Sequence, residues 1–213
     1  MTLTVTGIVV RLVRTLRRSA HSCIIPIVAA VAEQTWSWSI DAFLRAEDAG
    51  VFGGHRVELV DGQVRDMVQG KWHGRVASNV QRLLGNAYDG AGWRVTQETL
   101  VLVSDAPDPD CWVVREDAVA VEERGRVVRY ALADMLLVVE VGDSTATFDL
   151  ETMADLYARA GIPNFWVLTR RGIYRHTNPA AAGYRTQELL DTDQDVTPPL
   201  VSEPVSIAAL LRV

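Results

Sequence analysis

Three carboxylates stand inside otherwise apolar stretches of this chain. They are Glu58 in Arg56-Val-Glu-Leu-Val60, Asp117 in the run from Cys111 to Val121, and Glu140 in Leu136-Leu-Val-Val-Glu-Val141. A carboxylate among β-branched residues is costly to bury unless it is paired or bound to a metal. Three of them on separate elements could supply the hard oxygen ligands that Mg²⁺ or Mn²⁺ prefers. A divalent ion so held generates hydroxide and neutralises charge on a phosphate, which is the chemistry that phosphodiester hydrolysis needs. Taken singly, each acid fits equally well on the solvent side of a half-exposed strand.

The elements that must carry these acids follow from local pattern. Arg56 to Val60 and Gln63 to Val68 flank Asp61-Gly62, a pair that supplies the positive φ angles of a two-residue turn, so a hairpin is predicted with Glu58 in its first strand. Ser39 can cap a short helix running to Ala46. From Trp72 to Tyr88, Val76, Val80, Leu83, Leu84 and Ala87 recur at helical spacing. Strands are predicted over Arg94 to Val103, Cys111 to Val121 and Met135 to Val141, with the proline-punctuated loop SDAPDPD between the first two. Phe148 to Ala160 reads as a helix with Met153, Leu156, Tyr157 and Ala160 as its apolar stripe, stopped at Gly161 and Pro163. Strands at Asn164 to Leu168, Ile173 to His176 and Arg185 to Leu190, then a short helix from Ser206, complete the chain. The sum is α/β: a mixed sheet flanked by helices, without steady βαβ alternation.

Composition narrows the function. The 213 residues carry a formal net charge of −6, and the first thirty hold Arg11, Arg14, Arg17 and Arg18 with no acid, so the remainder is more acidic still. That disfavours a broad phosphate-binding surface but leaves room for a local basic groove beside an acidic site. Cys23 and Cys111 form no ligand pattern and read as free thiols of a reducing cytoplasm. Residues 1–34 combine RLVRTLRR with the short apolar CIIPIVAAVA, interrupted by Pro26. This segment has the basic and apolar parts of a secretory signal, but a poorly ordered N-terminal extension is the better reading. No stretch is a membrane span. There is no GxGxxG, P-loop or helix-turn-helix, and His21, His55 and His176 lack ligand spacing. Ser144-Thr145 caps the following helix or contacts phosphate.

From about Trp36 to about Arg175 the chain resembles the Uma-two (Uma2) family, restriction-endonuclease-like proteins of the PD-(D/E)XK superfamily. The resemblance rests on W38SIDAFL, VELVDGQV, His73 in WHGRV, E116DAVAV, L137VVEVGDST with Asp149, and above all L156YARAGIPNFW. It implies a restriction-endonuclease-like domain over residues 35–213. It makes Asp117 and Glu140 a metal-binding pair for Mg²⁺ or Mn²⁺, with Glu58 as acidic partner, His73 near the cleft and DNA as substrate. A homodimer is compatible with it.

Two departures stand out: Glu116 replaces the proline of the family's PD dipeptide, and Met153 falls where the family places its lysine, four residues after the Asp149 position. A thioether can neither orient water nor stabilise an anion. Of the 21 basic residues only Lys71 is a lysine, so Lys71 or Arg159 must supply any cationic support. A metal-dependent DNA endonuclease, weakened at Met153, is therefore expected. The alternative is an inactive nuclease-fold module that binds nucleic acid or protein.

Overall fold

The computed structural model describes residues 8–14, 28–34, 36–67 and 69–213. In chain order the elements are strands β1 (Ile8–Arg14) and β2 (Val28–Gln34), helix α1 (Ile40–Asp48), strands β3 (Val57–Val60) and β4 (Gln63–Asp66), and helix α2 (Lys71–Tyr88). Strands β5 (Trp93–Thr96), β6 (Thr99–Leu100), β7 (Cys111–Arg115), β8 (Glu122–Arg124), β9 (Val127–Arg129) and β10 (Met135–Val141) follow. The helical stretch α3 (Ala146–Phe148), a π turn (Asp149–Met153) and α4 (Ala154–Arg159) leads into strands β11 (Asn164–Thr169), β12 (Gly172–Ala180) and β13 (Gly183–Asp191). Strands β14 (Asp195–Val196) and β15 (Val205–Ser206) and helix α5 (Ile207–Leu210) end the chain.

The central sheet has six strands in the order β13-β12-β11-β10-β7-β5. Only the β10–β11 pair is parallel, because the helical segment from Ala146 to Arg159 carries the chain from one to the other; the remaining neighbours pair antiparallel. All seven residues of β10 are buried, as expected for a central strand covered on both faces. Alternation sorts them. Leu137, Val139 and Val141 pack with Val76, Val80 and Leu84 of α2 and Leu210 of α5. Val138 packs on the opposite face with Met153, Leu156 and Tyr157. Glu140 shares the parity of Val138, so its carboxylate is directed to the face of the α3–α4 segment.

The Asp61-Gly62 hairpin forms as its turn chemistry demands, with φ of 48° and 73° at the two turn residues and Glu58 opposite Arg65. It joins the domain through the acidic loop before β7. Leu59 and Ala106 exchange backbone hydrogen bonds of 3.0 and 2.9 Å. Asp105 accepts from the Asp61 amide at 2.8 Å, and the buried Asp108 pairs with Arg56 and, at 3.1 Å, with Arg126. Ser39 caps α1 by accepting from Ala42 N at 3.2 Å, and Phe43 and Leu44 of α1 pack on Leu59 of the hairpin.

Three elements differ from the sequence reading. The predicted strand Arg94 to Val103 is split, because β5 pairs with β7 in the central sheet while β6 pairs with β9 in a separate three-stranded one. The strand beginning at Cys111 ends at Arg115, where Ala118 N donates back to Arg115 O in a turn that contains Asp117. The helix predicted at Phe148 begins at Ala146 and contains the π turn. As for residues 1–34, β1 and β2 pair with each other as a two-stranded sheet, and the rest of that segment lies outside the described residues. Cys111 is a buried free thiol, and Cys23 lies outside the described residues. No described helix is long and apolar enough to cross a membrane.

Candidate active site

The end of β10 delivers Glu140 to the floor of a cavity of about 120 Å³. The hairpin contributes Glu58 and Arg65, the start of α2 contributes His73, and the π turn contributes Asp149 and Met153. Glu58, Glu140 and Asp149 are at most 6 % exposed, so three carboxyl groups from three separate elements meet where water is scarce. Tyr157, wholly buried on α4, donates from its hydroxyl to Glu140 Oε1 at 2.8 Å. Thr145 donates to Asp149 Oδ2 at 2.8 Å.

A fourth acid stands behind them. Asp110 is 1 % exposed and lies just before β7, where the pairing of Cys111 with Val139 sets it beside the Glu140 end of β10. One of its oxygens accepts from the Val141 amide at 2.8 Å; the other is 2.6 Å from His73 Nε2. Asp110 therefore orients His73, which lines the cavity.

Crowding of like charge in a dry site favours protonated carboxyls. Burial pushes Glu58 up to about 7, against the pull of Arg65. Burial likewise raises Asp149 to about 6, opposed by the Thr145 hydrogen bond. Glu140 is raised well above the usual carboxylate range by burial and by Asp110, Asp149 and Glu58, with only the Tyr157 hydrogen bond opposing. Burial alone would lower the His73 pKa, but the Asp110 carboxylate outweighs it and the net shift is upward.

The structure thus brings Glu58, Glu140 and His73 together, and it adds Asp110 and Asp149. It corrects the placement of Asp117. That side chain is 72 % exposed in the turn after β7 and forms a bidentate pair with Arg115 at 2.8 and 3.0 Å, which lowers its pKa. Val114 lies opposite Met135, five residues before Glu140, so Asp117, three residues beyond Val114, sits past the far end of the strand pair from Glu140. The predicted strand runs on to Val121 and takes in Asp117, whereas the aspartate that the strand pairing sets beside Glu140 is Asp110, in Pro109-Asp110 directly before the apolar Cys111-Trp-Val-Val114. Lys71 is also misplaced as a cleft residue, since it lines a shallow surface hollow with Arg75 and Arg212. Arg159 is engaged by Asp61 and Asp155, each at 3.1 Å.

The donor set suits a hard divalent cation: carboxylate oxygens only, mutually repelling, with raised proton affinities that a cation would relieve. As placed, no three described His, Cys, Asp or Glu side chains are close enough together to clasp one ion.

Among solved structures, the chain is similar to a putative nuclease belonging to DUF820 from Anabaena variabilis ATCC 29413, with a TM-score of 0.61 and 16 % identity over 81 % of this chain and 97 % of that one. At that identity the likeness shows a shared fold. No curated protein matches the chain. The model of the Uma2 family, described as "Putative restriction endonuclease", matches residues 40–209, which takes in the hairpin, both flanking helices and every residue of the cavity; the chain belongs to the Uma2 family.

Proposed function

We propose that this cleft hydrolyses phosphodiester bonds in DNA with the help of a divalent metal ion, Mg²⁺ or Mn²⁺. The observation that carries the reading is the convergence of Glu58, Asp110, Glu140 and Asp149, from four elements, on or beside one cavity of a Uma2-family domain. Glu140 and Glu58, with Asp110 at their side, would hold the ion. When bound, it would supply a water of lowered pKa and charge neutralisation at the phosphate.

The chain's own groups account for the rest. Asp149, which lines the cavity and is not among the residues assigned to the ion, is the carboxylate left to accept a proton. In the balanced reaction, water oxygen bonds to phosphorus, the phosphorus–oxygen bond to the leaving sugar breaks, and the water's proton passes to a carboxylate. Solvent returns a proton to the leaving oxygen. His73, held by Asp110 through Nε2, lines the cavity and, when protonated, can donate from its other ring nitrogen to a phosphate bound there.

The test is nicking of supercoiled plasmid by the purified protein in Mg²⁺ and in Mn²⁺, against Glu140→Gln. Metal-dependent nicking by the wild type alone supports the reading. One observation favours an inactive binding module instead: Met153 is 2 % exposed and packed in the core, so the family's lysine position carries no charge. Duplex binding without nicking in either metal would establish that second reading.

A further inference from the structure

A cleft that gathers three acids and must accept an anionic phosphodiester needs a positive charge of its own. Met153 does not provide it, Lys71 lines a different hollow, and Arg159 is held by Asp61 and Asp155. Among the described residues lining the cavity, the one lysine or arginine is Arg65.

Arg65 lies on β4 directly opposite Glu58, so the hairpin register itself sets it beside the acids. Its Nε is 3.8 Å from Glu58 Oε1, and its guanidinium carbon is 3.7 Å from the centroid of the Phe148 ring, on the same cavity wall. Two independent contacts, one charged and one aromatic, thus hold one end of a long side chain. A guanidinium held over a ring keeps the N–H donors along its edge available for oxygens. The side chain remains 42 % exposed, so an incoming phosphate can reach it.

We infer that Arg65 is the catalytic cation of this cleft, donating hydrogen bonds to a phosphate oxygen of the scissile group in place of the lysine that Met153 replaces. This rests on the nuclease reading above. Arginine is a poor base, so the role is stabilisation of developing negative charge, and proton acceptance stays with a carboxylate. Phe148 acts as a positioning residue, holding the guanidinium over the acids.

The experiment compares single-turnover nicking rates in Mn²⁺ for wild type, Arg65→Ala, Arg65→Gln, Arg65→Lys, Met153→Lys and the double variant Arg65→Ala/Met153→Lys, with Glu140→Gln as the dead control and thermal melting to check folding. Arg65→Ala and Arg65→Gln are expected to slow nicking about 100-fold, and Arg65→Lys less. Met153→Lys should restore at least about tenfold in the Arg65→Ala background and give a smaller gain in wild type, because one cation then substitutes for the other; a merely structural arginine would not be rescued from a different element. Folded Arg65→Ala and Arg65→Gln nicking within about twofold of wild type, while Glu140→Gln is dead, overturns this inference and leaves the nuclease reading standing. Wild type that nicks no faster than Glu140→Gln overturns both.

Discussion

The Tyr157 hydroxyl donates to Glu140 Oε1 at 2.8 Å, joining the buried face of α4 to the end of the central strand β10. This bond is what LYARAGIP and LVVEV have in common: the helical segment places its tyrosine one turn beyond Met153, over the acid at the strand end. A hydrogen bond to the charged carboxylate favours that form, so Tyr157→Phe removes the force opposing protonation of Glu140. The expected outcome is about tenfold slower nicking at neutral pH, partly recovered at alkaline pH. A pH–rate profile that superimposes on wild type would refute it.

The acids make stability depend on pH and metal together. Glu58 and Asp149 have ordinary values of 4.5 and 3.8 and are pushed up to about 7 and about 6 by burial. The folded state therefore holds protons that the unfolded chain releases. Their stabilising contribution is complete below the ordinary values and is lost as pH rises through about 6 to 7. Melting temperature without metal should fall between about pH 5 and pH 8, and Mn²⁺ should raise it more at pH 8 than at pH 5. An equal metal effect at both ends would count against the site.

Gly142 sets how closely the helical segment approaches the strand. A methyl group there would lie 2.8 Å from Ala146 Cα and 2.8 Å from Asp149 Oδ2. Gly142→Ala must push α3 away and is expected to cost about 1–3 kcal/mol by urea unfolding, with slower nicking because Asp149 shifts. An unchanged urea midpoint would show that the segment yields freely.

His176 lies between Phe165 and Tyr184, with ring centroids at 5.4 and 5.6 Å, and neither ring nitrogen has a hydrogen-bond partner. Burial lowers its pKa from 6.5 to about 4. Here the sign is opposite: the neutral ring's contribution is complete above 6.5 and is lost as pH falls through about 4. His176→Phe should therefore raise the melting temperature more at about pH 4.5 than at pH 8. A gain that is uniform with pH would trace to packing alone.

The segment before Trp36 should be dispensable for folding. The six-stranded sheet is complete from β5 to β13 without β1 and β2, and the family match begins at residue 40. Removing residues 1–34 is expected to change the melting temperature by less than about 2 °C, under roughly 1 kcal/mol. A larger loss would mean that the β1–β2 hairpin packs on the domain.

Much of the site was legible where its parts are contiguous. Asp61-Gly62 forces the hairpin that carries Glu58, and the alternation of LVVEV sends Glu140 to one face. Asp110 was not, because the run SDAPDPD has the composition of a solvated loop. Folding buries Asp105, Asp108 and Asp110 by giving them distant partners: the Asp61 amide, Arg56 with Arg126, and His73 with the Val141 amide. Those partners lie up to 52 residues away in sequence, beyond any local pattern. Arg65 was missed for a related reason. Its register opposite Glu58 followed from the turn, but the Phe148 ring that fixes its guanidinium comes from a different segment.

The π turn from Asp149 to Met153, closed by an Ala154 amide that reaches back to Asp149 O, gives the helical segment one residue more than a regular α-helix would hold over the same length. A deletion of one residue there would be absorbed as added regularity. The hydrogen-bond ladder would become continuous and the helix easier to form. The turns on either side would keep their phase, because the extra residue is taken up within the π turn, and the change would fall on the residues inside it, Asp149 and Met153. This stretch is thus where the domain is less regular than its sequence length allows. The irregularity falls on residues that line the cavity, Asp149 and Met153, while Tyr157 follows it in the regular helix.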